Sequence, residues 1–403
     1  MSETRAVGGW TFDGAPIGLG EAWPRMRSVH RFIGGPFEIP ADWPLEETRL
    51  ALDVGGEALL TIIDAAGARR TLGLDANHNE FILNEHGGRL EIEAVARGAF
   101  GQFVADPRLK RAELRRLEAR LEGFVRVVGL TLDAAAAIAA HEAAASLIEL
   151  AENAMARLEW PTRTDQVLGR VSPFARGYGS RDAEPRTWPT VPLDAAARTS
   201  IGAAHAWLAG ELKKLKRRFP PVGAVAYVGH AHLDTAWLWP IEETRRKARR
   251  TFSTAVDLIA RHPEFRFAQS FAEYYRYLED DDPALMDKIR AAVARGSWAP
   301  TGGLWVEPDI NMPCGEALVR QALYGQLYFQ RTFGARHTVA WLPDTFGFSP
   351  ALPQILAGAG LTSLFTIKLG WSETNRFPHT RFWWEGIDGS RVLVQQFNTP
   401  EDT

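Results

Sequence analysis

The sequence is short of the groups that define several protein classes. Cys314 is its only cysteine, so no intramolecular disulfide can form and a Cys-rich zinc site is excluded. Charge of one sign is not in surplus. Lys and Arg total 46 against 49 Asp and Glu, which removes the basic stripe expected of a nucleic-acid-binding protein. No block of like charge is present to act as an interaction tail. Long apolar runs are also missing. Residues 1–10 carry Glu3 and Arg5 and no segment of signal-peptide type. The alanine-rich stretch 133–145 is broken by His141 and Glu142 and is too short to span a bilayer. These absences predict a soluble, cytoplasmic chain without a nucleic-acid or membrane partner.

A chain of 403 residues exceeds one ordinary core, so two or three domains are expected. Fourteen tryptophans offer flat apolar faces of the kind that stack on sugars. Tryptophan also simply fills cores, so the count alone decides nothing.

Hydrophobic patterning divides the chain into three. Residues 1–120 read as an N-terminal β-sandwich. Apolar runs at 50–54 and 58–63 flank Gly55-Gly56, Ala66-Gly67 and Gly87-Gly88 mark turns, and 90–95 alternates with period two. Residues 121–221 form a helical and linker region. It is rich in Ala, Leu and Glu to 158, then holds five prolines over 159–192, then turns helical again over 195–218. The basic run 213–218 suits a solvated helix end that complements the macrodipole.

From 222 to the end the rhythm alternates. Strands are expected at 224–228, 265–269, 298–301, 338–342 and 363–367. Helices are expected at 242–261, 283–295, 315–333 and 350–359. A hairpin over 381–394 turns at Ile387-Asp388-Gly389-Ser390. Such alternation predicts an α/β domain, a parallel sheet or barrel covered by helices. Its functional groups collect beyond the carboxyl ends of the strands.

Two segments place chemistry there. The run Gly229-His230-Ala231-His232-Leu233-Asp234 follows the first strand. Side chains two apart point the same way in extended backbone, so two of its three ligand-type residues can converge on one ion. Imidazole and carboxylate suit zinc. A bland alternative is a strand end with satisfied polar side chains. Asp344 ends a later strand in Trp341-Leu342-Pro343-Asp344-Thr345-Phe346-Gly347-Phe348-Ser349. It stands too far upstream to cap the helix expected from 350, for which Ser349 is better placed.

These segments resemble the signatures of glycoside hydrolase family 38, the class II α-mannosidases. The run 229–240, the run 341–349, residues 300–309, Lys368-Leu369-Gly370-Trp371 and residues 377–385 all match in order. The likeness is to the cytosolic and vacuolar branch. It covers residues 222–403 in sequence and the earlier part only in architecture. The resemblance implies an incomplete (β/α)7-type barrel, truncated at its C-terminal side, after the sandwich and helical region. It implies a retaining, zinc-dependent α-mannosidase acting on terminal α-mannosyl residues of oligosaccharides or α-mannosides. His232, Asp234 and Asp344 would bind one zinc ion, with cobalt a possible substitute. Asp344 would also be the catalytic nucleophile that forms a glycosyl-enzyme. Trp237, Phe346 and Lys368 would line the substrate site, and His230 would support the ligands from behind.

A retaining mechanism also needs an acid/base carboxyl. The family supplies it, together with a fourth metal ligand, from sequence later than Thr403. The expectation for this chain alone is therefore weak zinc binding and little turnover, with a homo-oligomer possible in a longer protein. Two other readings compete with it: a catalytically impaired sugar- and metal-binding remnant, and a metal-dependent amidohydrolase. The second wants further histidines at strand ends, and His262, His337 and His379 do not stand there. Cys314 is expected to be a small helix-start residue, His78 and His86 surface or turn residues, and Trp383-Trp384 one core and one exposed side chain.

Overall fold

Apolar and alternating runs make strands of nearly half of the first 116 positions. In the computed structural model, residues 3–25, 29–98, 100–159, 193–371, 374–375 and 377–397 are described. The early strands are β1 (Glu3–Ala6), β2 (Thr11–Phe12), β3 (Ala15–Pro16), β4 (His30–Glu38), β5 (Thr48–Asp53), β6 (Glu57–Asp64), β7 (Arg69–Leu74), β8 (Glu80–Ile82), β9 (Gly87–Val95) and β10 (Arg111–Arg116). They form two antiparallel sheets, ordered β1-β10-β5-β8 and β3-β2-β4-β9-β6-β7. Trp10, Trp23, Phe32, Leu50, Leu60, Ile62 and Ile92 fill the core they share. Burying each such side chain contributes about 1.5–3 kcal/mol.

Helices α1 (Ala119–Ala137), α2 (Ala143–Met155) and α3 (Ala195–Arg218) follow and bury Phe124, Val128, Ala151, Ile201 and Leu208 among themselves. The Asp194 side chain caps α3 by accepting the Ala197 N–H at 2.8 Å, and Lys216, Arg217 and Arg218 close it. The proline-rich linker expected over 159–192 lies outside the described residues from 160 onward.

Residues 229–396 alternate strand and helix. They comprise β11 (Gly229–His230), α4 (Ile241–Arg261), β12 (Phe267–Ser270), α5 (Ala272–Asp281), α6 (Pro283–Ala294), β13 (Trp298–Thr301), α7 (Gly315–Phe333), β14 (Val339–Trp341), α8 (Leu352–Gly358), β15 (Ser363–Thr366), β16 (Arg381–Glu385) and β17 (Arg391–Gln396). Strands β11, β12 and β13 pair in parallel, as do β14, β15 and β17, with β16 antiparallel on the outer side of β17. Phe252, Phe267, Tyr275, Trp298, Phe329 and Leu342 lie in one core that the helices cover. The chain is thus a mixed α/β protein. No helix of the described residues is long and apolar enough to cross a membrane.

Two expectations need correction. Residues 224–228 form no strand: pairing begins only at Gly229, and Val225 and Tyr227 are 76 % and 89 % exposed. Among the described residues β11 has a partner on one side only, β12, so nothing offers the preceding run hydrogen bonds or cover. An apolar run becomes a strand when a neighbour pairs with it. The other correction is α5, which the pattern did not announce. Tyr274, Tyr275, Tyr277 and Leu278 give it a buried face, and its aromatic content hides the helical period. The bland readings fit the structure. Cys314 precedes α7, His78 is an exposed turn residue bound to Asp75, and Trp383 is exposed while Trp384 packs on the core.

The two halves meet through charge. Glu57 on β6 accepts from Lys247 at 2.7 Å and Arg250 at 3.0 Å, and Arg250 also reaches Glu243 at 2.7 Å. All four side chains are almost fully buried. Removing one partner of such a set strands the others without compensation. Glu57→Ala is therefore expected to cost about 3–5 kcal/mol, read from the urea midpoint.

His337 offers a second check. Burial lowers its pKa to about 4, because its ring lies against Phe329 away from solvent. The unfolded chain then binds a proton that the folded one refuses. Stability should be full above about pH 6.5 and fall progressively toward pH 4, by about 3 kcal/mol at most. Urea titrations at several pH values should show His337→Phe flattening that decline relative to the unaltered chain.

Candidate functional site

The ends of the parallel strands bring together side chains remote in sequence. β11 stops at His230, so His232 and Asp234 lie in a segment held by other elements. Gln269 Nε2 donates to the Ala231 carbonyl at 3.1 Å, and the Tyr274 hydroxyl donates to Leu233 O. The Thr244 hydroxyl of α4 serves Asp234 O at 3.3 Å and also Thr235 O, and it accepts from Trp239 Nε1 at 3.0 Å. The carbonyls of Ala231, Leu233, Asp234 and Thr235 are thus each given a donor.

Asp344 stands three residues beyond β14. Glu307 stands six beyond β13, across Gly302 and Gly303, whose φ of +90° and +63° only glycine adopts freely. A Cβ on Gly303 would also lie 2.7 Å from Leu361 Cδ2.

His232, Asp234 and Asp344 each offer one ligand atom, and these atoms lie within 4.8 Å of one another. His232 Nε2 is 3.5 Å from Asp234 Oδ1 and 3.6 Å from Asp344 Oδ2. Its other nitrogen, Nδ1, faces Glu307 Oε2 at 3.8 Å. Lys368, which follows β15, sets its Nζ 2.6 Å from Asp344 Oδ1. The same ammonium lies 3.8 Å from the Trp371 ring centre and 5.0 Å from that of Phe346.

The charges perturb one another. Burial opposes protonation of His232, but the carboxylates of Asp234, Glu307 and Asp344 outweigh it and raise its pKa. Burial pushes the Glu307 carboxyl up to about 7, against the pull of the Asp344 N–H and of His232. His230 is held below its ordinary value, chiefly by burial. Its Nδ1 lies 2.9 Å from Ala268 O, an acceptor only, so Nδ1 carries the proton, and its ring packs on Trp341 with centres 5.0 Å apart.

Trp237 is 58 % exposed, stands edge-on to Trp239, and lines a cavity of about 390 Å³ with Arg97, Phe103 and Arg246. Phe346 is equally exposed and stands edge-on to Trp371. Glu307 and Tyr274 are the participants that sequence reasoning left without a role. A carboxylate shortly after a parallel strand was the available signal for Glu307. Nothing local singled out Tyr274.

With this geometry in place, comparison with known proteins is direct. Residues 223–403 match the family model described as glycosyl hydrolases family 38 N-terminal domain. It is similar to alpha-mannosidase 2C1 of Homo sapiens, 51 % identical over 166 residues, which are 41 % of this chain and 16 % of that protein. It is also similar to alpha-mannosidase G of Dictyostelium discoideum, 47 % identical over 41 % of this chain and 15 % of that one. Alpha-mannosidase of Saccharomyces cerevisiae is 43 % identical over 41 % of this chain and 16 % of its own length. The chain thus spans about a sixth of the curated relatives it matches.

The short bond from Tyr274 to Leu233 pins the segment that carries His232 and Asp234. Tyr274→Phe would leave that carbonyl without its donor at a partly buried position. The expected cost is about 1–3 kcal/mol in urea denaturation, with faster amide exchange over residues 231–235.

Proposed function

We propose that this chain carries the site of a retaining, zinc-dependent α-mannosidase of the cytoplasm, acting on terminal α-mannosyl residues of oligosaccharides. Residues 222–403 would belong to a (β/α)7-type barrel, preceded by a β-sandwich at 1–120 and a helical region at 121–221. The observation that carries the reading is the convergence of His232, Asp234 and Asp344 at the strand ends, with Lys368 on the far oxygen of Asp344.

The donor set fits zinc. One imidazole nitrogen and two carboxylates can close to ligand distances of roughly 2.0–2.2 Å by small side-chain movements. When bound, zinc supplies charge that offsets the carboxylates and a Lewis-acid contact for sugar hydroxyls. The remaining chemistry belongs to the chain. An Asp344 oxygen forms a bond to the anomeric carbon as the bond from that carbon to the aglycone oxygen breaks, and the aglycone leaves with a proton from an acid carboxyl. Water then releases the sugar from Asp344. Lys368 holds the carboxylate in place, and the aromatic faces of Trp237 and Phe346 flank the sugar. Glu307 is not assigned as the acid. Its Oε1 accepts from Asp344 N–H at 2.6 Å and Thr345 at 3.2 Å, and its Oε2 faces His232.

An amidohydrolase would require further histidine ligands, and His232 is the one histidine in the metal-type group among the described residues. A non-catalytic remnant differs from the proposal in turnover.

The test is hydrolysis of an aryl α-mannoside by the longest protein that contains this chain, with metal content measured alongside. One zinc per chain is expected, lost with chelator together with activity. His232→Ala should lose the metal, and Asp344→Ala should lower kcat by about a thousandfold or more. Full activity in Asp344→Ala, or hydrolysis of amides in place of mannosides, would sink the assignment.

A further inference from the structure

Glu307 is an expensive residue to place where it stands. Its side chain is only 12 % exposed, beneath two other carboxylates, and the chain turns through two left-handed glycines before delivering it. A cap for the Asp344 N–H alone could be supplied by a neutral oxygen at lower desolvation cost. What a neutral group could not do is face the imidazole with charge. Metal-binding histidines commonly direct the nitrogen away from the metal at a carboxylate, which fixes the ring and raises its basicity. Here Asp234 and Asp344 crowd Nε2, while Glu307 stands on the Nδ1 side.

We infer that Glu307 is the positioning carboxylate of the metal centre. Its Oε1 tethers the backbone of Asp344, and its Oε2 turns His232 so that Nε2 is the ligating nitrogen. The inference rests on the metal reading above and adds to it one residue and one nitrogen. At 3.8 Å the Nδ1 to Oε2 separation is that of an ion pair. Loading of the metal is expected to draw it to hydrogen-bond length. The two oxygens have separable tasks: Glu307→Gln keeps an acceptor for Asp344 N–H but loses the charge, and Glu307→Ala loses both.

The experiment titrates the longest protein that contains this chain, unaltered and as both variants, with Zn²⁺ against a chromophoric chelator, and follows thermal unfolding without metal. Glu307→Ala should raise the zinc Kd roughly 10–100-fold, and Glu307→Gln by a smaller factor. Imidazole ¹⁵N shifts of the zinc-loaded unaltered chain should give His232 a metal-bound Nε2 and a protonated Nδ1. Glu307→Gln keeps the tether to Asp344 N–H, so its zinc affinity and its His232 ¹⁵N shifts decide the matter even if Glu307→Ala fails to fold. Unchanged zinc affinity in both variants, with or without a lower melting temperature, would overturn the inference while leaving the metal reading intact. Zinc on His232 Nδ1 would do the same. Failure of the unaltered chain to bind zinc at all would remove the metal reading, and this inference with it.

Discussion

Negative charge gathered where parallel strands end is the constraint around which this protein is arranged. Asp234, Asp344 and Glu307 all stand within ion-pair reach of one imidazole, His232. Two like charges some 4 Å apart repel by about 4 kcal/mol at an effective dielectric constant of 20. Lys368 offsets part of this through Asp344. Left to themselves the carboxylates would spread apart or take up protons; Glu307 is pushed toward protonation chiefly by its burial, and the charge of Asp344 adds to that push. The fold resists the first by pinning the backbone beneath each group. A cation shared by His232, Asp234 and Asp344 would relieve the repulsion in the proposed site.

The pinning extends into the N-terminal half. Asp234 O is held by Thr244, Thr244 by Trp239, and the Trp239 ring lies under the Lys247 ammonium at 4.5 Å. Lys247 in turn is bound to Glu57 of β6. A chain of contacts thus runs from the antiparallel sheets through α4 to the segment that presents Asp234. Helix α4 is charged on the face it turns to β6 and β7, where Arg70 meets Asp257 and Gly73 N–H meets Thr254. That charged face explains its strong amphipathic pattern: Phe252, Ala255 and Ile259 enter one core while the ionic residues enter the domain contact. Buried ion pairs give little net stability over apolar packing, but they are intolerant of misplacement. Here that intolerance fixes how the first half seats on the second.

Helices were legible where their ends carry local chemistry. α3 opens on Asp194 and closes on basic residues, and α7 ends at Gly334 in the left-handed conformation. Such signals act over four residues or fewer, and both helices run as the sequence implies. The run 224–228 and helix α5 were not legible, for opposite reasons. One is an apolar segment whose fate depends on a strand partner, and the other is a helix whose aromatic face is understood only from the core it enters.

The site divides in the same way. Spacing by itself marked ligand-type residues near strand ends at His230, His232, Asp234 and Asp344, because strand period and strand-end placement are local rules; the likeness to a known family then preferred His232 and Asp234 over His230. Lys368 was marked only by that likeness. Only the tertiary structure decided that Glu307, thirty-seven residues before Asp344, holds its amide and stands behind His232. It likewise decided that Tyr274 and Thr244 support the same segment. Those contacts join elements whose separation along the chain carries no pattern. They arise from the packing of parallel strands and covering helices, which sets distances that no short window of residues contains.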